Sequence, residues 1–167
     1  MMNKNNPALL ILMAFIAGFL SVLFFHQPTL IVLKAISLAP EKFALYSMAA
    51  TSPLGIPRVF SLAFWGGIWG IAFVLAVAWT SRFNYWLSGL IIGALGPSLV
   101  NWLVVQPLKG EPIGGGWAIS GIITALIVNG IWGVGTVLFC RLLGRNLLGN
   151  SRQSAASVKR EREKINR

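Results

Sequence analysis

The side chains that could do chemistry are few, and most of them lie within long apolar stretches. The chain has no Asp, and its single His and single Cys are His26 and Cys140. Amides and hydroxyls are more numerous, and four of them form a candidate polar path: Ser98, Asn101, Thr124 and Asn129. Such groups could hydrogen-bond an uncharged or weakly polar solute, although in membranes they mostly bond to neighbouring helices. Ion-coupled transport is disfavoured, because it usually needs a charged side chain within the membrane.

His26 and Gln27 form a second candidate site, at the outer end of the first apolar run. A lone His at an interface usually forms an ordinary hydrogen bond, and its alternatives are a pH-sensitive contact or one axial ligand of a cofactor shared between subunits. No second His, Cys or nearby carboxylate completes a metal set, so we predict no metal and no cofactor. Glu41 and Glu111 are isolated, and no nucleophile lies beside a base, which argues against an enzyme.

Composition places the chain among integral membrane proteins. Of 167 residues, 56% are hydrophobic and only 11% are charged, with a mean hydropathy of +0.73. Soluble domains carry roughly 25% charged residues. The net charge of +10 comes from basic residues outside the apolar runs, so membrane topology explains it better than nucleic-acid binding does.

Four apolar runs without charged side chains are each close to the ~20 residues that a helix needs to cross a bilayer. They predict an all-α membrane protein, a four-transmembrane-helix bundle, with spans at about residues 8–25, 59–79, 85–105 and 117–140. Residues 1–140 would form one transmembrane domain. Residues 28–57 are predicted to form short amphipathic helices on the outer interface, and residues 141–167 a basic cytoplasmic tail that anionic lipid could attract.

The distribution of Lys and Arg predicts the orientation. Four spans put Lys4, Arg82 and the eight basic residues from Arg141 onward on one side, against four basic residues on the other. Because cytoplasmic segments carry the excess of Lys and Arg, both termini are predicted to be cytoplasmic.

An internal repeat is the most informative pattern. The second span contains GIWGIAFVL from Gly67, and the fourth contains GIWGVGTVL from Gly130, 63 residues later. The first and third spans both end in Gln-Pro, at Gln27-Pro28 and Gln106-Pro107. These matches predict two helical hairpins arranged as parallel repeats about an axis along the membrane normal, with chance similarity between apolar segments as the alternative.

Small residues spaced four apart suggest close helix contacts, because they let two backbones approach. We expect them to pack within the bundle first and to mediate homo-oligomer contacts second. The candidate helix-packing residues are Gly18, Gly66, Gly70, Gly89, Gly93, Gly130 and Gly133.

Three segments also carry a resemblance to a known group of proteins. They are the Phe25-His26-Gln27 tripeptide, the Pro53–Pro57 segment and the Phe64–Gly70 segment, FWGGIWG. In these segments the chain resembles small uncharacterised bacterial inner-membrane proteins with four predicted transmembrane helices. The resemblance implies a location in the bacterial inner (plasma) membrane and no established activity.

Two functions of different classes fit the sequence. The first is a non-enzymatic structural or accessory protein that acts by self-association or by packing against a larger membrane complex. The alternative is a small pore or transporter for an uncharged or weakly polar solute. A continuous cavity lined by the candidate polar path would favour transport, whereas a dry core would favour the accessory role.

Overall fold

A computed structural model describes residues 6–40, 44–79 and 84–165, with the side chains of residues 6–40, 44–76 and 84–144. Within this part of the chain, four helices are long and apolar enough to cross a membrane. They are α1 (Pro7–Ala35), α2 (Arg58–Trp79), α3 (Tyr85–Leu108) and α4 (Ile119–Ile165). They pack against one another, so the prediction of an all-α, four-helix membrane bundle is confirmed.

The segment after the first span differs from its prediction. Helix α1 continues to Ala35, ten residues beyond the predicted end of the span, so residues 28–35 extend the first helix instead of forming a separate short helix. The reason is that Leu30 and Leu33 are buried against Val128 of α4. No described residue between 36 and 57 is helical, so the amphipathic helices predicted there are not formed by these residues. Two short strands, β1 (Ala50–Thr51) and β2 (Ile56–Pro57), form a hairpin instead.

The two helices that contain Gln-Pro share an unusual backbone feature. A π-helical turn runs over Val22–His26 in α1 and over Asn101–Val105 in α3, each directly before Gln-Pro. The backbone N–H of Gln27 donates to the Val22 carbonyl, and that of Gln106 donates to the Asn101 carbonyl, both five residues back. Proline has no N–H and its ring crowds the preceding turn, so the wider π turn lets the helix pass it.

Helices α1 and α2 cross at glycines and run antiparallel. Any Cβ at Gly18 would overlap the Gly66 carbonyl oxygen and lie 3.0 Å from the Gly70 Cα. Any Cβ at Gly70 would overlap the Ala14 carbonyl oxygen. Only residues without a side chain allow the two backbones to come this close.

Helices α3 and α4 cross in the same way. A Cβ at Gly93 would lie 2.7 Å from the Asn129 carbonyl oxygen and 2.8 Å from the Gly133 Cα, and one at Gly133 would overlap the Gly89 carbonyl oxygen. Gly130 lies on the neighbouring face of α4, where a Cβ would be 3.1 Å from Leu90 Cδ1. The glycines at both crossings therefore contact neighbouring helices inside the bundle.

We expect Gly133→Ala to lower the stability of the detergent-solubilised protein by about 1–3 kcal/mol, because the added methyl group must push α3 and α4 apart. The matched control is Gly121→Ala in the same helix, where a Cβ would meet no atom within 4 Å. Alanine at that position should be neutral or slightly stabilising, since alanine favours helix. Thermal unfolding followed by circular dichroism measures both variants, and equal losses would contradict the packing role of Gly133.

Candidate functional site

Trp132 connects the two halves of the bundle. Its indole Nε1–H donates to the Gly18 carbonyl of α1 at 3.0 Å, and the Ser21 hydroxyl of α1 donates to the Trp132 carbonyl at 2.6 Å. The Thr136 hydroxyl donates to that same carbonyl at 2.9 Å. All three side chains are buried, so this junction fixes α1 against α4 at the level of the first glycine crossing.

The candidate polar path is divided among separate contacts. Asn129 Nδ2 donates to the fully buried Ser98 hydroxyl at 2.9 Å, which links α4 to α3. Thr124 donates instead to the Leu38 carbonyl at 3.4 Å. Asn101 is half-buried at the start of the second π turn, and within the described residues its side chain makes no hydrogen bond. The structure joins two of these four residues directly.

Gln27 and His26 lie at the first π turn. The fully buried Gln27 accepts a hydrogen bond at Oε1 from the Tyr46 backbone N–H at 2.9 Å. The Tyr46 hydroxyl donates to the Leu23 carbonyl at 2.7 Å. In a π turn that carbonyl would pair with the residue five positions on, which is Pro28 and has no N–H. Tyr46 therefore supplies the donor that the proline removes, and it anchors the loop after α1.

The second Gln-Pro site lies beneath a left-handed turn. Three consecutive glycines, Gly114 to Gly116, and then Trp117 all have positive φ, between 57° and 75°. A Cβ at Gly115 would lie 3.4 Å from Gln106 Nε2, so the turn lies directly over the amide. The rings of Trp102 and Trp117 meet edge to face, with centroids 6.0 Å apart. Within this turn the conformation is costly for Trp117, which has a side chain, whereas glycine adopts it readily.

Two buried side-chain atoms in the described part of the chain have no hydrogen-bond partner, His26 Nδ1 and Gln106 Oε1. Both belong to residues at a π turn, where functional residues are common. Unpaired buried polar atoms are rare in proteins, and each needs a physical explanation. Gln106 thus differs from Gln27, whose oxygen is occupied by Tyr46.

The described residues contain no group of three or more His, Cys, Asp or Glu side chains that could hold a metal ion. Cys140 is buried in the core beside Val137. Next to it, the Arg141 guanidinium carbon lies 5.4 Å from the centre of the Trp86 ring, a cation–π contact that ties α4 to α3.

Comparisons of this chain with protein-family models, with curated proteins and with solved structures find no match.

We expect Trp132→Phe to destabilise the bundle, because it removes the indole donor that bonds to Gly18. Hydrogen bonds between membrane helices contribute about 0.6 kcal/mol on average and up to about 1.7 kcal/mol, and the smaller ring adds a packing loss. The control is Trp65→Phe, at a side chain that is 58% exposed. Thermal unfolding of the two variants in detergent should give a clear loss for Trp132→Phe alone. Equal losses would mean that the junction contributes nothing specific.

Proposed function

We propose that this chain is a non-enzymatic structural or accessory membrane protein that packs against a larger membrane complex or against copies of itself. The observation that carries the proposal is the use of the interior polar groups as connections between helices. Asn129 bonds to Ser98, and Trp132 bonds to both Gly18 and Ser21. Side chains that are satisfied by neighbouring helices hold a scaffold together and are not free to bind a solute.

The face for a partner is not the set of glycines, because these are covered within the bundle. Helix α2 instead presents an exposed aromatic face that contains Phe60, Phe64 and Trp65, with Ile68 one turn further on. Residues four apart lie on one side of a helix, so these side chains form a continuous surface along the first half of α2. We assign the contact with a partner to this face.

We further propose that the bundle arose by duplication of a helical hairpin. Gly66 and Gly70 of α2 correspond to Asn129 and Gly133 of α4, 63 residues later in sequence. Within the crossings, Gly70 lies against the Ala14 carbonyl and Gly133 lies against the Gly89 carbonyl. The matching contacts support two parallel repeats.

The π turns add to this support, since one precedes Gln-Pro in the first helix of each half. The halves also differ. Helix α1 packs along α4 over much of its length, whereas α2 and α3 meet over a short stretch that includes Trp69 and Gly96. If the two hairpins diverged after duplication, we expect the helix crossing within each hairpin to be retained and the contacts between the hairpins to change.

We place the protein in the bacterial plasma membrane with both termini in the cytoplasm, from the resemblance and from the excess of Lys and Arg. Helix α4 continues from the span end at Gly144 to Ile165. At 1.5 Å per residue, Lys159 to Lys164 lie about 22–30 Å along the helix beyond Gly144. Charges are screened over about 8 Å, so in a helix along the membrane normal only Arg141 and Arg145 remain close enough to attract anionic lipid strongly.

A small pore is the second candidate. The observation that favours it is that two buried polar atoms of the described residues, His26 Nδ1 and Gln106 Oε1, have no hydrogen-bond partner and lie towards one end of the bundle. The half-buried Asn101 begins the π turn that precedes Gln106. A pore would need these groups to continue into Ser98 and Asn129, which instead bond to each other. Swelling of vesicles in glycerol or urea tests this candidate, and flux above that of empty vesicles would favour it over the accessory role.

The accessory function is tested by photo-crosslinking in native membranes. A photoreactive residue in place of Phe64 should crosslink to a defined protein, or to a second copy, because the α2 face is the proposed contact. The control position is Leu95 of α3, which is exposed to a similar degree, 46% against 49%. Lipid adducts alone at both positions, together with a monomeric native mass in mild detergent, would contradict the accessory function.

The orientation is tested with topology reporters. A cytoplasm-dependent reporter fused after Arg167 should be active, and one inserted near Ala50 should be inactive, because the Lys and Arg bias retains the termini in the cytoplasm. A reporter that functions only outside the membrane should give the reverse pattern. The opposite results would invert the assignment of both faces.

A further inference from the structure

We propose that the segment from Gln106 to Trp117 binds the zwitterionic headgroup of a phospholipid, an ammonium joined to a phosphate as in phosphatidylethanolamine. The starting point is the buried Gln106 Oε1, which lacks a hydrogen-bond donor among the described residues. The equivalent oxygen of Gln27 receives the Tyr46 N–H. A glutamine in this setting is built to accept a hydrogen bond, and in the second half the donor must come from outside the described chain.

The groups around Gln106 select an ammonium as that donor. Trp117 is 51% exposed and packs edge to face with Trp102. An indole face attracts a cation, and an N–H of the same cation can reach an amide oxygen. Glu111 lies in the same turn, because its backbone N–H donates to the Gln106 backbone carbonyl at 2.9 Å, and its exposed side chain carries a negative charge. The Trp117 ring and the Gln106 amide both lie against the three-glycine turn, and an aromatic face beside a hydrogen-bond acceptor matches a primary ammonium.

The same loop also offers a partner for a phosphate. The backbone N–H groups of Lys109 and Glu111 both donate to the Gln106 carbonyl, at 3.0 and 2.9 Å. The exposed Lys109 and Glu111 therefore lie on the same tight turn. Gly110, with φ of +74°, separates the two charged residues. A positive and a negative side chain on one tight turn complement the phosphate and the ammonium of a single zwitterion.

Access to Gln106 Oε1 requires movement of the left-handed turn that covers it. Gly114, Gly115 and Gly116 have no side chains, and glycine adopts positive and negative φ with similar ease. Trp117 has a φ of +57°, a costly conformation for a residue with a side chain. Movement of the turn would lower the conformational free energy of Trp117. The turn therefore acts as a cover over the amide, which opens when a headgroup enters.

Lipid retention by the full-length protein tests this assignment. Native mass spectrometry compares phosphatidylethanolamine with phosphatidylcholine of identical acyl chains, supplied in equal amounts. The choline ammonium has no N–H, so it retains the attraction to the indole and loses the bond to Gln106. We expect phosphatidylethanolamine to be retained about tenfold better, the factor for one hydrogen bond to a charged group. Equal retention of the two lipids would overturn the proposal.

Variants assign the preference to this site. Gln106→Leu should abolish the difference between the two lipids, whereas Gln106→Glu, which retains an acceptor, should preserve it. The matched control is Gln27→Leu, which loses the anchor of the other half and should leave the lipid preference unchanged. Lys109→Ala should weaken retention of both lipids equally. A preference that survives in folded Gln106→Leu would overturn the proposal, and so would its loss in folded Gln106→Glu.

The free headgroup distinguishes a lipid from a soluble ligand. Phosphoethanolamine without acyl chains is added to delipidated protein, and bound mass is measured as before. We expect retention only of the acylated form, because the acyl chains add contacts along the exposed face of α3. Saturable binding of the free headgroup, lost in Gln106→Leu, would assign the same chemistry to a soluble zwitterion and overturn the lipid assignment.

Discussion

The close approach of backbones at the two glycine crossings is the constraint on which the rest of the bundle depends. Lipid chains are as apolar as leucine, so hydrophobic burial does not hold helices together within a bilayer, and dispersion at short distance must do so. Gly18 against Gly66 and Gly89 against Gly133 bring the helix axes close enough for this. The Trp132 indole can reach the Gly18 carbonyl because that crossing has already fixed the position of α1.

The prolines impose a second requirement, which explains the structure at the other end of the bundle. Pro28 and Pro107 each lie inside a helix, and each is preceded by a π turn that accommodates the ring. Helix α1 passes through this defect and continues for two further turns, because Leu30 and Leu33 remain buried against α4. The freed Leu23 carbonyl then determines where the following loop lies, since Tyr46 satisfies it.

The sequence predicted the features that depend on local pattern and missed those that depend on distant partners. Apolar length predicted four helices long enough to span a membrane. In the structure, Gly66, Gly70 and Gly133 lie where two helix backbones come close. The end of α1 was predicted too early, because Gln27 and Pro28 resemble a helix end while the burial that extends the helix comes from Val128, 98 residues after Leu30. Tyr46 has no local signal, since its role exists only once the carbonyl of Leu23 is freed.

The two halves resemble each other where they must pack and differ where they can interact with other molecules. Both glutamines lie at π turns, yet Gln27 is closed off by Tyr46 and Gln106 lies under a turn made of glycines. Glycine loses the most conformational freedom on folding, so this turn is costly to order, and Trp117 is held at positive φ. A segment with these costs, beside an unpaired acceptor, is better explained by binding than by stability. The second half therefore carries the site, and the first half carries the anchor.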